Sequence, residues 1–309
     1  MKGEAVLYSI AGFGLTLLLF LSAYWLGPMG AFTNMLTAAP ACYLAMRFGL
    51  TSGLFTVVLA GGVLWQLTDG AGLMNYLGLF TVPALLLPTL LRRKLPWDKA
   101  LLISSLATLA LSALLVVGYL QLSGQDAMTL VDRYLQSEVD TAMQAYGNAG
   151  LTAAQLADLK EVAGQVADFI RKTFVGLYAA GVLVIHLVTL LLLQRFRRDH
   201  FEIEGAIFSQ WRLPALLIWP LIVAGFALLV PLDEIALVGR NLLAVLLPLY
   251  FMQGLAIVNC LLQRKTWPPA LKGLIYLMVF VLNPLPLVVT GVGVFDLWVD
   301  FRRPRKTDL

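Results

Sequence analysis

The sequence predicts an all-α membrane protein, a polytopic transmembrane bundle of about eight or nine spans that carries an extracytoplasmic helical hairpin. Three observations lead there. Hydrophobic residues make up 60% of the chain and charged residues only 13%, about half the charged share of an ordinary soluble domain. The mean hydropathy is +0.83, and apolar runs of span length recur between short charged or proline-containing breaks. One polar stretch, from about Ser123 to Lys172, interrupts them. It divides the chain into an N-terminal membrane half (1–122), a hairpin (123–172) and a C-terminal membrane half with a basic tail (173–309).

The first span is expected from about Ala5 to Leu26, ended by Gly27-Pro28, because proline cannot continue a helix. Its length and the lack of a small-x-small cleavage site mark a retained span, not a signal peptide. Ala31 to Met46 is a shorter run interrupted by Pro40, and Phe48 to Leu67 returns across the membrane, hinged at Arg47-Phe48-Gly49. Leu73 to Leu91 follows Asp69-Gly70 and leads to Arg92-Arg93-Lys94. Trp97 suits the headgroup level, and Ala100 to Leu122 is the last span before the hairpin.

The hairpin arms are Asp126 to Tyr146 and Leu151 to Lys172, joined by the turn signal Gly147-Asn148-Ala149-Gly150. Thr152 and Gln155 have the spacing of a capping box at the start of the second arm. Leu156, Leu159, Val162, Val166, Phe169 and Ile170 then form one apolar stripe for the first arm or a neighbour to cover, and the first arm is the more economical cover.

Beyond the hairpin, Phe174 to Gln194 ends in Arg195-Phe196-Arg197-Arg198, Leu213 to Val230 spans next, and Leu242 to Leu262 leads to Gln263-Arg264-Lys265. The last run, Gly273 to Trp298, is longer than one untilted span needs and too short for two. Asn283-Pro284-Leu285-Pro286 near its middle removes backbone donors. A proline-broken re-entrant hairpin is therefore expected, its return arm Val288 to Trp298 packed on other spans. Lys and Arg favour the cytoplasmic side, which places the N-terminus, the basic loops and the basic tail there and the acidic hairpin on the opposite side.

The candidate site residues are few. His186 lies near the middle of its span, where an ionisable side chain either handles a ligand or proton or serves as interhelical glue. Gln253 and Asn259 are six residues apart on one span and do not share a helix face. Asp296 and Asp300 do share one, with Arg303 three residues on, which predicts a local ion-pair cluster beside Trp298 or, on the sharper reading, a docking point. Cys42 and Cys260 lie in different apolar runs and read as packed thiols. With His200 as the other histidine, the ligand set of a zinc site is missing. There is no P-loop, HExxH or GxSxG, so neither a cofactor nor enzymatic activity is expected. The net charge of +4 sits in loops between spans and reports topology; no nucleic-acid partner is implied.

Two local signatures carry a family resemblance: Phe208-Ser209-Gln210-Trp211-Arg212-Leu213-Pro214 at a span entrance, and Gly293-Val294-Phe295-Asp296-Leu297-Trp298-Val299-Asp300-Phe301-Arg302 before the tail. With the order of spans, insert and basic loop, the chain resembles the YybS-like family of bacterial membrane proteins, which implies a multi-pass protein of the bacterial cytoplasmic membrane and carries no known activity. The layout up to Leu122 is also similar to the substrate-capture components of energy-coupling-factor vitamin transporters, with Ala5, Ser9 and Gly12 approaching their small-residue docking pattern.

Two functions are in view. One is a small-solute binding or transport component without its own ATPase, with a pocket in the first half suggested by the helix breaks at Pro40, Gly61-Gly62 and Pro83. The other is a membrane platform whose hairpin recruits envelope partners or forms a homo-oligomer.

Overall fold

The structure, a computed structural model, describes residues 3–68, 70–148, 152–197 and 200–303. Asp69, the centre of the predicted turn at Ala149-Gly150, Leu151, Arg198-Asp199 and the tail from Pro304 lie outside these residues. The helices are α1 (Gly3–Trp25), α2 (Pro28–Asn34), α3 (Ala39–Phe48), α4 (Leu50–Leu67), α5 (Gly70–Arg92), α6 (Trp97–Ser123), α7 (Ala127–Asn148), α8 (Ala153–Phe196), α9 (Ile218–Ala227), α10 (Asp233–Gln263), α11 (Pro269–Val281) and α12 (Leu285–Val299). The protein is a helical membrane bundle, with no strand among the described residues. Six helices (α1, α4, α5, α6, α8 and α10) are long and apolar enough to cross a membrane, or seven spans if the bent pair α11 and α12 counts as one.

Two of the expected spans fall short of that length. The run from Ala31 to Met46 divides between α2, of 7 residues, and α3, of 10 residues, because Pro40 sits in the first turn of α3, where its missing N–H costs no helical bond. The run from Leu213 to Val230 becomes a 3-10 turn at Ala215–Leu217 followed by α9, of 10 residues. The other supposed breaks of the first half do not interrupt their helices. Gly61 and Gly62 lie within α4, and Pro83 lies within α5.

The chain forms two compact units. Residues 1–127 and 181–205 make the first; residues 128–180 and 206–309 make the second. In the first unit the core gathers around Phe20, which is fully buried and meets Tyr76 and Phe80 edge-on, at 5.5 Å and 6.0 Å between ring centroids. Such T-shaped contacts suit the ring quadrupoles. Ala5, Ser9, Gly12, Thr16 and Phe20 form the buried stripe of α1. The side chain of Leu44 fills the space that a Cβ at Gly12 would take. The small-residue stripe is thus used for packing inside this unit. One end of this unit collects the charges: Arg47 pairs with Glu4 at 3.3 Å, Arg92 Nη1 donates to the Ala45 carbonyl at 2.9 Å, and the Trp97 N–H donates to the Glu204 carbonyl at 2.9 Å.

In the second unit the capping box forms as the spacing predicts. The Gln155 N–H donates to Thr152 Oγ1 at 3.4 Å, and the Thr152 N–H donates back to Gln155 Oε1 at 3.0 Å. Helix α8 then runs 44 residues without a break, about 66 Å at the usual rise, because neither Gly-Gly nor Pro separates the hairpin arm from the apolar run behind it. The apolar stripe of this arm divides. Leu156, Leu159 and Ile170 are half-buried, while Val162, Val166 and Phe169 remain exposed at 55%, 50% and 57%. Arg171 Nε pairs with Asp132 Oδ1 of α7 at 2.7 Å, both side chains about half exposed, an interaction worth at most about 1 kcal/mol. At the base of the arm Asn241 of α10 donates to the Lys172 carbonyl at 2.8 Å and accepts from the Gly176 N–H at 2.7 Å.

The last apolar run is broken where the prolines predict. Helices α11 and α12 meet at 99°. The Leu285 N–H closes on the Leu282 carbonyl at 2.8 Å, which the proline at 286 cannot serve as a fourth-residue donor. Arg264, just after α10, donates from its guanidinium to the carbonyl of Arg302, just after α12. The chain therefore leaves and rejoins the same end of α10. With Cys42 and Cys260 replaced, cysteines placed singly at Lys265 and Arg303 are expected to react with an impermeant maleimide from the same side; labelling from opposite sides would show a crossing.

Candidate functional site

Two stretches far apart in sequence meet in the second unit. Around the 3-10 turn Phe208–Gln210 the backbone cannot settle into a helix, because Pro214 follows Leu213. Its polar groups take side-chain partners instead. The Leu213 N–H donates to Gln253 Oε1 at 2.9 Å, and the carbonyls of Trp211 and Ser209 accept from Arg302 Nη1 at 2.7 Å and 3.2 Å. Gln253, buried on α10, turns its amide N–H groups to the Gly293 carbonyl at 3.1 Å and to Asp296 Oδ2 at 3.4 Å. That exhausts most of what one amide side chain can offer.

Asp296 is the centre. Only 1% of it is exposed. Its Oδ2 lies 3.2 Å from Arg302 Nη2 and 4.0 Å from Arg212 Nε, and its Oδ1 accepts from the Phe301 N–H at 3.2 Å. A buried carboxylate is tolerable only with such company, since an unpaired one costs several kcal/mol. Asp300 ends α12 in the left-handed region, with φ 47°, which aspartate tolerates better than most residues. It pairs with Arg212 and, at 2.7 Å, with Arg303 Nε. Charges thus alternate from Arg303 through Asp300, Arg212 and Asp296 to Arg302. The backbone carbonyl of Arg302 brings in Arg264.

The Arg303 guanidinium, with Arg212 behind it, holds the Asp300 carboxyl below the usual carboxylate range. A depressed folded-state value stabilises above the unfolded value and is lost as pH falls through the folded one. Melting in detergent is therefore expected to carry the full and pH-independent contribution of Asp300 between pH 8 and about 5, and to lose it below about pH 4, a loss that the Asp300→Asn variant lacks. An identical acid limb in the variant would assign that limb to other groups.

The structure brings Gln253, Asp296 and Asp300 together and leaves the other sequence candidates apart. Asn259 is half-buried and accepts from Gln263 at 3.5 Å on its own helix. Trp298 is 60% exposed beside Phe295. Asn283 and Pro284 form the break between α11 and α12. Arg212 and Arg302 lie inside the two signatures, yet helical spacing does not point to them as partners of Asp296. The available signal was their opposite charge.

His186, in the first unit, is fully buried. Its Nδ1 lies 2.8 Å from the Val182 carbonyl, which can only accept, so Nδ1 carries the proton and Nε2 is the acceptor. Ser104 Oγ, at 3.0 Å, donates to Nε2; Thr108, at 3.3 Å, spends its hydroxyl hydrogen on the Ser104 carbonyl. Both ring nitrogens are engaged between α6 and α8, the arrangement of interhelical glue. Among the described residues no group of three His, Cys, Asp or Glu side chains is placed to hold a metal ion.

A family model described as predicted membrane protein, DUF2232, matches residues 14–297. The chain belongs to the DUF2232 family. No curated protein and no solved structure matches it. The DUF2232 match takes in Gln253 and Asp296 and stops short of Asp300, Arg302 and Arg303. This DUF2232 protein is an integral membrane protein, built from apolar helices of span length.

Proposed function

We propose that the chain is a small-solute binding or transport component of the bacterial cytoplasmic membrane, non-enzymatic and without an ATPase of its own, with the hairpin on the extracytoplasmic side. One observation carries this reading: the broken pair α11 and α12 returns to the end of α10 where a buried carboxylate, an amide and two guanidiniums converge. Broken helices that free backbone groups beside buried polar side chains are how transporters build sites. Pro284 denies the Phe280 carbonyl its fourth-residue donor at the break. The glycines and Pro83 of the first half leave their helices whole, so the break between α11 and α12 gives the second half the stronger support.

The purified chain should show a thermal shift with a member of a panel of water-soluble vitamins and cofactor precursors. The shift is expected to survive His186→Ala and to vanish in Gln253→Ala. No shift across the panel, with no ATPase co-purifying, would count against transport.

The exposed row Val162, Val166 and Phe169 favours a second reading, a platform whose hairpin meets envelope partners or another copy. Deleting Asp126 to Phe169 with a short linker tests it: complexes lost while insertion persists support the platform, and complexes retained refute it.

A further inference from the structure

Among the described residues, the arginines gathered around the end of α12 outnumber the carboxylates. Arg212, Arg264, Arg302 and Arg303 are linked around Asp296 and Asp300, four guanidiniums to two carboxylates among the described residues. Were the cluster only an internal clasp, the charges would balance. Arg303 has 82% of its side chain exposed and Arg212 50%, and Arg264 is exposed as well. Each of the three is nevertheless held from behind: Arg303 and Arg212 by Asp300, Arg264 by the Arg302 carbonyl. A guanidinium has five N–H donors in a rigid fork, so one or two inward bonds orient it and leave others pointing outward. Among the described residues, Nε of buried Arg302 also lacks a hydrogen-bond partner.

The level of this cluster is marked by its neighbours. Asp296 lies in the last turn of α12 beside Phe295 and Trp298, and Asp300 and Arg303 follow just past the end of the helix. Those two rings are 58% and 60% exposed, and Trp267, at the start of the excursion, is 42% exposed. Exposed tryptophans at the ends of apolar helices sit where hydrocarbon meets headgroups. Oriented guanidiniums with surplus charge at that level match one chemistry, a phosphate oxyanion taken in bidentate fashion.

We propose that Arg212, Arg264 and Arg303 bind the phosphate of an anionic phospholipid headgroup, with the acyl chains lying along the Phe295 and Trp298 face of α12. The site does not rest on the transport reading; it serves a transporter or a platform equally, by fixing the returning end of α12 to the bilayer surface.

The test uses the full chain in neutral detergent, with thermal unfolding followed against added phosphatidylglycerol, phosphatidylcholine and inorganic phosphate. Phosphatidylglycerol should protect saturably and phosphatidylcholine should not. The double variant Arg264→Gln/Arg303→Gln should weaken apparent affinity roughly 30-fold, at about one kcal/mol for each basic residue near an anionic surface. Arg303→Lys keeps the charge without the fork and should fall between. Arg93→Gln/Lys94→Gln removes the same charge from another basic loop and should leave the affinity unchanged. Because Arg264 also holds the Arg302 carbonyl, Arg303→Gln alone, at a largely exposed side chain, gives the comparison without loss of the fold. Equal weakening by the Arg93/Lys94 pair, equal protection by phosphatidylcholine, or full protection by inorganic phosphate would overturn the proposal; the last would assign the site to a soluble anion.

Discussion

Asp296→Ala is expected to destabilise the protein by about 3–5 kcal/mol, because it strands the Arg302 guanidinium in a buried position with its carboxylate gone. Arg302 is only 9% exposed, so water cannot take over the lost pairing. The Gln253 amide and the Phe301 N–H lose an acceptor in the same change. Most of the penalty belongs to the orphaned charge, so the double variant Asp296→Leu/Arg302→Met should recover a large part of it. Unfolding by SDS, followed through tryptophan fluorescence, measures both. A loss below about 1 kcal/mol for Asp296→Ala would place Arg302 in contact with water and deny the cluster its buried character.

Gly293→Val should cost about 3 kcal/mol or more, the upper range for forcing atoms into a packed contact. A Cβ at Gly293 would run into the Tyr250 carbonyl and lie 2.8 Å from the Gly254 backbone nitrogen. Both obstacles are backbone, which cannot swing aside as a side chain can. Helix α12 would have to lift from α10, and the bond from Gln253 to the Gly293 carbonyl would go with it. Gly291 provides the contrast. A Cβ there meets nothing within 4 Å, so Gly291→Ala should be neutral or stabilise by up to about 1 kcal/mol through helix propensity. Similar unfolding midpoints for the two variants would show that α12 is not held by close approach to α10.

Both predictions concern α12, where pattern and packing contribute in different ways. The prolines at 284 and 286 made a break legible in advance, since loss of a backbone donor is a local effect that needs no knowledge of neighbours. The capping box at Thr152 was readable for the same reason. Asp300 and Arg303 pair as their three-residue separation suggests, though through a turn beyond the end of α12 and not along a helix face. The partners of Asp296 did not follow, because Arg212 is separated from it by the whole of α9, α10 and α11. Gln253 was singled out as a polar residue in an apolar run; that its amide joins Leu213, Gly293 and Asp296 depends on how α10 and α12 pack.

The first half shows the opposite limit. Pro40, Gly61-Gly62 and Pro83 read as breaks that would open a pocket, yet only Pro40 bounds a helix, at its first turn. Glycine and proline weaken a helix by amounts that tertiary packing readily offsets. The stripe Ala5, Ser9 and Gly12 approaches a docking pattern in sequence, and in the structure it is buried, with Leu44 of α3 against Gly12.

The sequence by itself determined that this is a helical membrane protein with a polar insert, because composition and the lengths of apolar runs answer directly to the thickness and dielectric of a bilayer. It also determined the local signals: the capping box, the proline break and the ion pair of Asp300 with Arg303. Only the tertiary structure decided which apolar runs reach span length as continuous helices and that α12 returns to the end of α10. It alone brought Arg212 and Arg302 onto Asp296. The physical reason is that burial and charge pairing are properties of neighbours brought together from distant parts of the chain, and in a uniformly apolar sequence hydrophobic pattern does not distinguish a helix face turned to lipid from one turned to another helix.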